Sequence, residues 1–289
     1  LYQKNLTTGE VKPIPVDING NKGTGDSYQA LDMSADGRYV LFTLDAYGDV
    51  NLDPNAPSDQ SNQTGPLYRK DMVTGEIVRV DTLSDGSYVT PMYGVDNAVI
   101  SSDGAYVAFT HGNAEYAGST DSWPEINHNH VYWKNLKTGE LKVVDTTPEG
   151  FPSSSIAGPS LAISADGMKV AFVSDANPQP MHIDWVHNFD IESSYGNDMV
   201  PGVELAKYSS VYVKDMSSGE VTLVNTSDTG QPSNDNGYGT QISMSADGNL
   251  VAFTSGATNI TNDQTNGNAN VYVKNLKTGE VILASSSKE

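Results

Sequence analysis

Short apolar segments, separated by turns that contain Gly, recur along the whole chain. The segments are apolar almost throughout instead of alternating with polar residues, as in YVAF at 106–109 and VAFV at 170–173. A strand of this kind has both faces covered, so it belongs to a sheet that lies between two neighbouring sheets. The pattern therefore predicts an all-β fold of stacked sheets.

Two kinds of hairpin alternate. The inner hairpin has an Asp-Gly turn and occurs four times, at 31–43, 99–110, 162–173 and 242–254. The outer hairpin has a Thr-Gly-Glu or Ser-Gly-Glu turn and occurs five times, at 1–16, 67–80, 131–144, 211–224 and 271–283. Gly supplies the positive φ that these turns require. One inner and one outer hairpin make a four-stranded unit, so we expect a ring of four-stranded antiparallel blades.

The repeats also predict the domain organisation. We expect one domain over 1–289, with an outer hairpin at 1–16 and blades at about 27–82, 94–146, 158–226 and 240–285. The first outer hairpin has no inner hairpin before it, so we expect the missing one upstream of Leu1. We then expect a ring of at least five blades and expect the chain to be part of a larger polypeptide.

The hairpin S-A-D-G-x-x-V-A-F-T, followed by V-Y-V-K-N/D-L/M-x-T/S-G-E, resembles the TolB-like, WD40-like (PD40) β-propeller repeats of bacterial envelope and secreted proteins. The resemblance covers nearly the whole chain. It implies a β-propeller of four-stranded antiparallel blades and a secreted, periplasmic or cell-surface location in a bacterium. Because this superfamily contains scaffolds, binding proteins and enzymes, the resemblance does not select a function.

Charge narrows the choice of partners. The chain has 36 Asp and Glu against 16 Lys and Arg, which gives a formal net charge of −20. Repulsion therefore disfavours nucleic acid and anionic membranes as partners, and no apolar run is long enough for membrane insertion. The sequence has no Cys, which does not decide the compartment. It also has no nucleophile elbow, P-loop, zincin motif or dinucleotide fingerprint.

Irregular segments between the two hairpins of a blade carry the candidate binding residues. In an antiparallel blade these links lie on the face opposite the Gly turns, where a rigid scaffold usually carries function. All five His lie in or at the edges of the links at 111–129 and 174–210. His128 and His130 are two positions apart, so they point to one side if a strand begins there, as a metal pair requires. The candidate ligand-binding residues are His128, His130, His182, Asp184, Trp185 and His187.

Two interpretations of these His stay open. They form a metal or general-base site, or, as we favour, they pack beside Trp residues or remain hydrated at the rim.

Acidic and amide-rich loops predict a second kind of site. Their hard oxygen atoms on Gly-permitted turns suit calcium, which we expect before any transition metal. The candidate calcium ligands are Asp45, Asp49, Asp53, Asp59, Asp235, Asp263 and Asn266. Alternatively, these residues form Asx-turns at loop corners. The repeated Asp of the inner turn (Asp36, Asp103, Asp166 and Asp247) is expected to be structural, because it recurs at equivalent positions.

Three functions stay open. The leading hypothesis is a non-enzymatic secreted or surface propeller that binds a protein, peptide or glycan on its link face, for example as an adhesin module. The alternative is a metal-dependent enzyme, because some TolB-like propellers resemble oligogalacturonate and other polysaccharide lyases. Against it, the two His-rich links hold no Lys or Arg except Lys207 to neutralise uronate carboxylates. The third is a structural subunit of a surface assembly, which would use blade edges.

Overall fold

The computed structural model describes residues 1–14, 28–45, 52, 64–88, 95–112, 130–146, 156–174, 210–235, 240–263, 265 and 267–286. Within these ranges the chain forms 18 strands and no helix. None of this described part provides a helix with the length and hydrophobicity to cross a membrane. The strands form four four-stranded antiparallel sheets and one two-stranded hairpin. The predicted all-β class, with four-stranded antiparallel blades, is confirmed.

Each sheet follows the chain order, so every strand pairs with its sequence neighbours. The N-terminal hairpin consists of β1 (Tyr2–Lys4) and β2 (Val11–Pro13). Blade 1 consists of β3 (Tyr28–Met33), β4 (Tyr39–Asp45), β5 (Thr64–Asp71) and β6 (Ile77–Arg79). Blade 2 consists of β7 (Val95–Ile100), β8 (Tyr106–His111), β9 (His130–Asn135) and β10 (Leu141–Val143). Blade 3 consists of β11 (Ile156–Ile163), β12 (Lys169–Ser174), β13 (Ser210–Asp215) and β14 (Val221–Leu223). Blade 4 consists of β15 (Ile242–Met244), β16 (Leu250–Ser255), β17 (Asn270–Asn275) and β18 (Val281–Leu283).

The inner turns form because Ser and Asp side chains bind the turn backbone. In blade 2 the Asp103 carboxylate accepts hydrogen bonds from the Ser101 hydroxyl (2.8 Å) and the Ala105 amide (3.0 Å). The Ser101 hydroxyl oxygen in turn accepts from the Tyr106 amide at 3.0 Å. The same contacts recur in the other inner turns, at Ser34 and Asp36, Ser164 and Asp166, and Ser245 and Asp247. The predicted structural role of this Asp is confirmed.

The outer turns lie beside the inner turns. In blade 2 the Asn135 side chain accepts from the amides of Lys137 (2.9 Å) and Thr138 (3.3 Å). The amide of Leu136, next in the chain, donates to the carbonyl oxygen of Ala105 in the inner turn at 2.8 Å. Both turns therefore lie at one face of the blade, which we call the turn face. The opposite face, where the links begin and end, is the link face.

Aromatic pairs fill the space between blades. Each blade has a buried Phe and Tyr on neighbouring strands, with ring centroids 5.6–5.8 Å apart: Phe42 and Tyr68, Phe109 and Tyr132, Phe172 and Tyr212, and Phe253 and Tyr272. The pair of blade 2 packs on apolar residues of blade 1, and the pair of blade 4 on those of blade 3. Such pairs contribute about 0.5–1.5 kcal/mol each beyond their buried area.

A buried Lys joins each blade to the preceding outer hairpin. The Lys134 ammonium on β9 donates to the carbonyl oxygens of Thr82 (2.7 Å) and Leu83 (2.9 Å), which follow the last strand of blade 1. The equivalent Lys of the other blades make the same kind of contact: Lys70 to Ile14, Lys214 to Thr146, and Lys274 to Thr226 and Ser227. The Lys of the V-Y-x-K motif therefore links its blade to the preceding outer hairpin by hydrogen bonds, and we call this contact the Lys clasp.

Candidate functional site

Few of the candidate ligand-binding residues fall in the described part of the chain. Of the six, His130 is described, whereas His128, His182, Asp184, Trp185 and His187 lie outside the described residues. The lyase alternative depends on His residues that lie outside the described part of the chain, so it stays a prediction.

The residue His130 begins β9 at the link face, at the base of the link 111–129. Its ring is buried, and Nδ1 lies 2.8 Å from the Asp145 carboxylate. The carboxylate is an acceptor, so Nδ1 carries a proton and donates it in this hydrogen bond. In the antiparallel register His130 lies directly opposite His111, the last residue of β8. The structure therefore brings two His together that stand on either side of the link.

Asp145 has a structural task besides its contact with His130. It is fully buried, and its Oδ1 atom accepts from the Val131 amide at 3.0 Å. The residue at this position binds the same backbone amide in every blade: Asp81 binds Leu67, Asn225 binds Val211 and Ser285 binds Val271. Because Asn and Ser bind the equivalent amide without a charge, this backbone contact does not require a carboxylate. The second oxygen of Asp145, Oδ2, is the atom that contacts His130.

Blade 1 contributes a buried ion pair. The Arg79 guanidinium donates through Nε and Nη2 to the two carboxylate oxygens of Asp81, at 3.0 and 3.1 Å. The side chains are 3% and 1% exposed. Burial, together with the nearby Arg79 charge, lowers the pKa of His111 to about 4, so His111 is neutral at physiological pH.

These five side chains form what we call the link-face cluster: Arg79, Asp81, His111, His130 and Asp145. The cluster departs from the repeat. Where blade 2 pairs His111 with His130, blade 3 pairs Ser174 with Ser210 and blade 4 pairs Ser255 with Asn270. Where blade 1 has Arg79, the other blades have Val143, Leu223 and Leu283. The fold therefore does not require ionisable groups at these positions.

The amide-rich segment at 232–235 uses its side chains within the protein. Asp235 accepts hydrogen bonds from the Ser255 hydroxyl (3.0 Å) and the Gly256 amide (2.6 Å). The backbone amide of Asn234 donates to the side-chain oxygen of Asn259 at 3.0 Å, which joins the same two segments. These contacts join two segments that lie 20 or more residues apart, so they are not the local contacts of an Asx-turn.

The remaining calcium candidates are less informative. Of these candidates, Asp45, at the end of β4, and Asp263 belong to the described part of the chain. The other four, Asp49, Asp53, Asp59 and Asn266, lie outside the described residues. Within the described ranges, no group of three or more His, Asp or Glu is placed to hold a metal ion. The calcium ion stays a prediction.

No protein-family model matches the chain, and no curated protein matches it significantly. Solved structures match it. TolB from Acinetobacter baumannii is 18% identical with a TM-score of 0.45, over 97% of this chain and 47% of that one. The β-propeller domain of the Trilobed protease from Pyrococcus furiosus is 11% identical with a TM-score of 0.47, over 93% and 59%. Oligogalacturonate lyase in complex with manganese is 12% identical with a TM-score of 0.47, over 100% and 60%.

The chain is similar in fold to TolB and other β-propeller proteins, and it spans 47% to 60% of the length of these three chains.

Proposed function

We propose that this chain is a binding module whose ligand contacts the link face at blades 1 and 2. The link-face cluster is the observation that carries the proposal. Buried ionisable groups cost free energy even when they are paired, and apolar or neutral residues occupy the same positions in other blades. Groups of this kind, placed beside a link, are typical of binding and catalytic sites.

The scaffold under the cluster is rigid. Four-stranded sheets, aromatic pairs and Lys clasps hold the blades, so the strand ends at the link face keep a fixed geometry. A preorganised surface loses little entropy when a ligand binds. This arrangement supports recognition of a protein, peptide or glycan by the links, with His130 at their base.

Charge supports the same class of ligand. A formal net charge of −20 repels nucleic acid and anionic membranes, whereas neutral glycans and neutral or basic peptides meet no such barrier. A secreted, periplasmic or cell-surface location and a structural calcium ion belong to this proposal, as does a role as one module of a larger adhesin or envelope protein.

The test is a glycan and peptide array probed with the wild-type chain, followed by titration of each hit against Asp145→Asn. Asn keeps the Val131 contact, as Asn225 does for Val211, but removes the charge beside His130. We expect Asp145→Asn to weaken ligand binding about tenfold, which corresponds to about 1.4 kcal/mol, because His130 loses the carboxylate that orients its ring. His130→Gln should have a similar effect.

Asp166→Asn is the matched control, because it makes the same chemical change at the turn face, where the Asn oxygen can still accept from the Ser164 hydroxyl and the Met168 amide. It should leave this ligand unaffected. Ligands that bind Asp145→Asn and His130→Gln as tightly as the wild type would contradict the proposal.

A further inference from the structure

At the turn face, a side chain of the outer hairpin fills the groove in front of the next blade, and this arrangement occurs three times. The third residue of the V-Y-x-K motif reaches the inner turn of the next blade. There Gln3, Arg69 and Trp133 donate a side-chain N–H to the carbonyl oxygens of Gly37, Gly104 and Gly167, respectively. Two of these side chains are flat and lie on a Tyr: the Arg69 guanidinium is 4.5 Å from the Tyr39 ring centroid, and Trp133 stacks on Tyr106 at 5.1 Å.

The groove between blades 3 and 4 lacks this filling. Val213 stands at the motif position, and its side chain has no N–H to donate. Lys169 takes the place of Tyr39 and Tyr106, and its ammonium contacts the Gly248 carbonyl oxygen at 3.3 Å. A cleft of about 200 Å³ remains, and Val213, Thr222 and Leu276 line it together with charged residues. This volume suits the end of one side chain and is below that of a drug-sized ligand site.

Two carboxylates, Asp215 and Glu220, line the cleft. The Oδ1 atom of Asp215 accepts from the Ser217 and Ser218 amides of its own outer turn, at 2.9 and 3.0 Å. The Ser217 hydroxyl also donates to Oδ1, and the Ser218 hydroxyl lies near the carboxylate. Among the described residues no donor is placed on the Oδ2 atom, so this oxygen is available to a donor in the cleft.

Blade 1 shows what such an oxygen binds. Asp71 stands at the position of Asp215, and its Oδ1 atom accepts from the Val73 and Thr74 amides in the same way. Its Oδ2 atom accepts from Nε and Nη2 of Arg38, at 3.0 and 2.7 Å. In blade 3 the residue at the position of Arg38 is Met168, whose side chain has no hydrogen-bond donor for Asp215. Blade 1 therefore holds guanidinium groups both on this carboxylate and in the adjoining groove, and blade 3 holds neither.

We propose that the cleft between blades 3 and 4 binds the side chain of an Arg from a partner protein or peptide. The guanidinium donates to Oδ2 of Asp215 and lies in the groove over Val213, in the place that Arg69 occupies between blades 1 and 2. Arg suits this position better than Lys, because its planar fork binds a carboxylate through two N–H groups, as Arg38 binds Asp71 in blade 1. The site is on the turn face and is distinct from the link-face cluster.

Lys169 and Lys277 also line the cleft, and they are compatible with an additional guanidinium. In blade 1, Arg38 and Arg69 both lie at the Tyr39 ring, at 5.0 and 4.5 Å from its centroid. Two cations therefore share one groove where a carboxylate is present. Lys169 also has an alternative acceptor in the Asn249 side chain, at 3.2 Å, if the incoming group takes the Gly248 carbonyl.

The test uses ¹⁵N-labelled chain titrated with the blocked peptide acetyl-Gly-Arg-Gly-amide, followed by amide chemical shifts. We expect saturable shifts at Ser217, Ser218 and Leu276, which border the cleft. The same peptide with Lys or with citrulline in place of Arg should bind at least about fivefold more weakly, because each lacks the charged fork.

Two variants locate the site. Asp215→Asn keeps the turn contacts, as Asn135 does in blade 2, and should weaken the Arg peptide about tenfold. Val213→Trp should fill the cleft as Trp133 does and abolish the shifts. If Val213→Trp does not fold, Asp215→Asn decides alone.

Absence of saturable shifts would overturn the proposal, as would equal affinity for the Lys peptide or for Asp215→Asn. Asp145→Asn should bind the Arg peptide like the wild type. This control separates failure here from failure of the link-face proposal.

Discussion

Replacement of Lys134 by Met tests whether the Lys clasps hold the blades together. Met keeps most of the apolar stem but removes the ammonium that donates to the carbonyl oxygens of Thr82 and Leu83. The Lys134 side chain is buried, with 3% of its surface exposed, so these carbonyl oxygens lose donors that water does not easily replace.

The expected loss follows from two opposing terms. An acceptor left without its donor costs about 1–3 kcal/mol, and two acceptors are affected. The wild type meanwhile desolvates a charge, and Met avoids that cost. We therefore expect a net loss of about 2 kcal/mol in the free energy of unfolding. For a chain of 289 residues this corresponds to a fall in Tm of about 3 °C.

The pH dependence gives a sharper test. Burial lowers the pKa of Lys134 from 10.5 to about 8. Between these values the unfolded chain binds a proton that the folded chain has released, so the wild type becomes more stable as pH rises. Met does not titrate. The stability gap between wild type and Lys134→Met should therefore widen from pH 8 towards 10.5 and stay constant below pH 8.

Urea unfolding at several pH values, followed by circular dichroism, measures this gap. Lys137→Met is the control, because Lys137 is 68% exposed and contacts Asp103 at 3.2 Å on the surface. It should change the free energy of unfolding by less than about 1 kcal/mol at every pH. The reasoning is refuted if Lys134→Met matches this control, or if its gap to the wild type narrows as pH rises.

Three other predictions concern packing, acid sensitivity and metal binding. Gly104→Ala should cost about 3 kcal/mol in thermal unfolding and Gly75→Ala only about 1–2, because both have positive φ but an added Cβ overlaps Tyr39 only at Gly104. The pKa of His111 is about 4 in the folded chain and 6.5 in the unfolded chain. As pH falls from 6.5 towards 4, the unfolded chain therefore binds a proton that the folded chain does not, and the free energy of unfolding decreases. His111→Gln should therefore lose less stability on acidification to about pH 4, by on the order of 2 kcal/mol in urea unfolding. If calcium is bound, EDTA should lower Tm and added calcium should restore it; an unchanged Tm would remove calcium from the proposal.

The fold was accessible from the sequence because it depends on local signals. Apolar runs and Asp-Gly or Thr-Gly-Glu turns are determined within about a dozen residues, and their repetition identified the blades. The role of the clasp Lys was not predicted. A Lys beside a turn normally lies at the surface, and only the packing of successive blades shows that Lys70 and its equivalents are buried.

The candidate site was harder to predict for a related reason. His130 was a candidate, but His111 was not, because the two lie on either side of the link at 111–129 and meet only through the β8–β9 register. Arg79 and Asp81 are two residues apart, and nothing in their local sequence shows that both are buried. Cross-strand partners and burial depend on tertiary structure, which periodicity alone does not supply.

Departures from the repeat therefore carry more information about function than the repeat itself. Positions that serve the fold keep one kind of contact in every blade, as the clasp Lys does. The third position of V-Y-x-K is Gln3, Arg69, Trp133, Val213 and Val273 in the five outer hairpins. The first three donate to the inner turn of the next blade, whereas neither Val has a side-chain N–H. A neutral packing defect at Val213 would leave an apolar gap, whereas this cleft has an available carboxylate oxygen on Asp215. That combination favours a site that an external group completes over a blade that is merely packed less well.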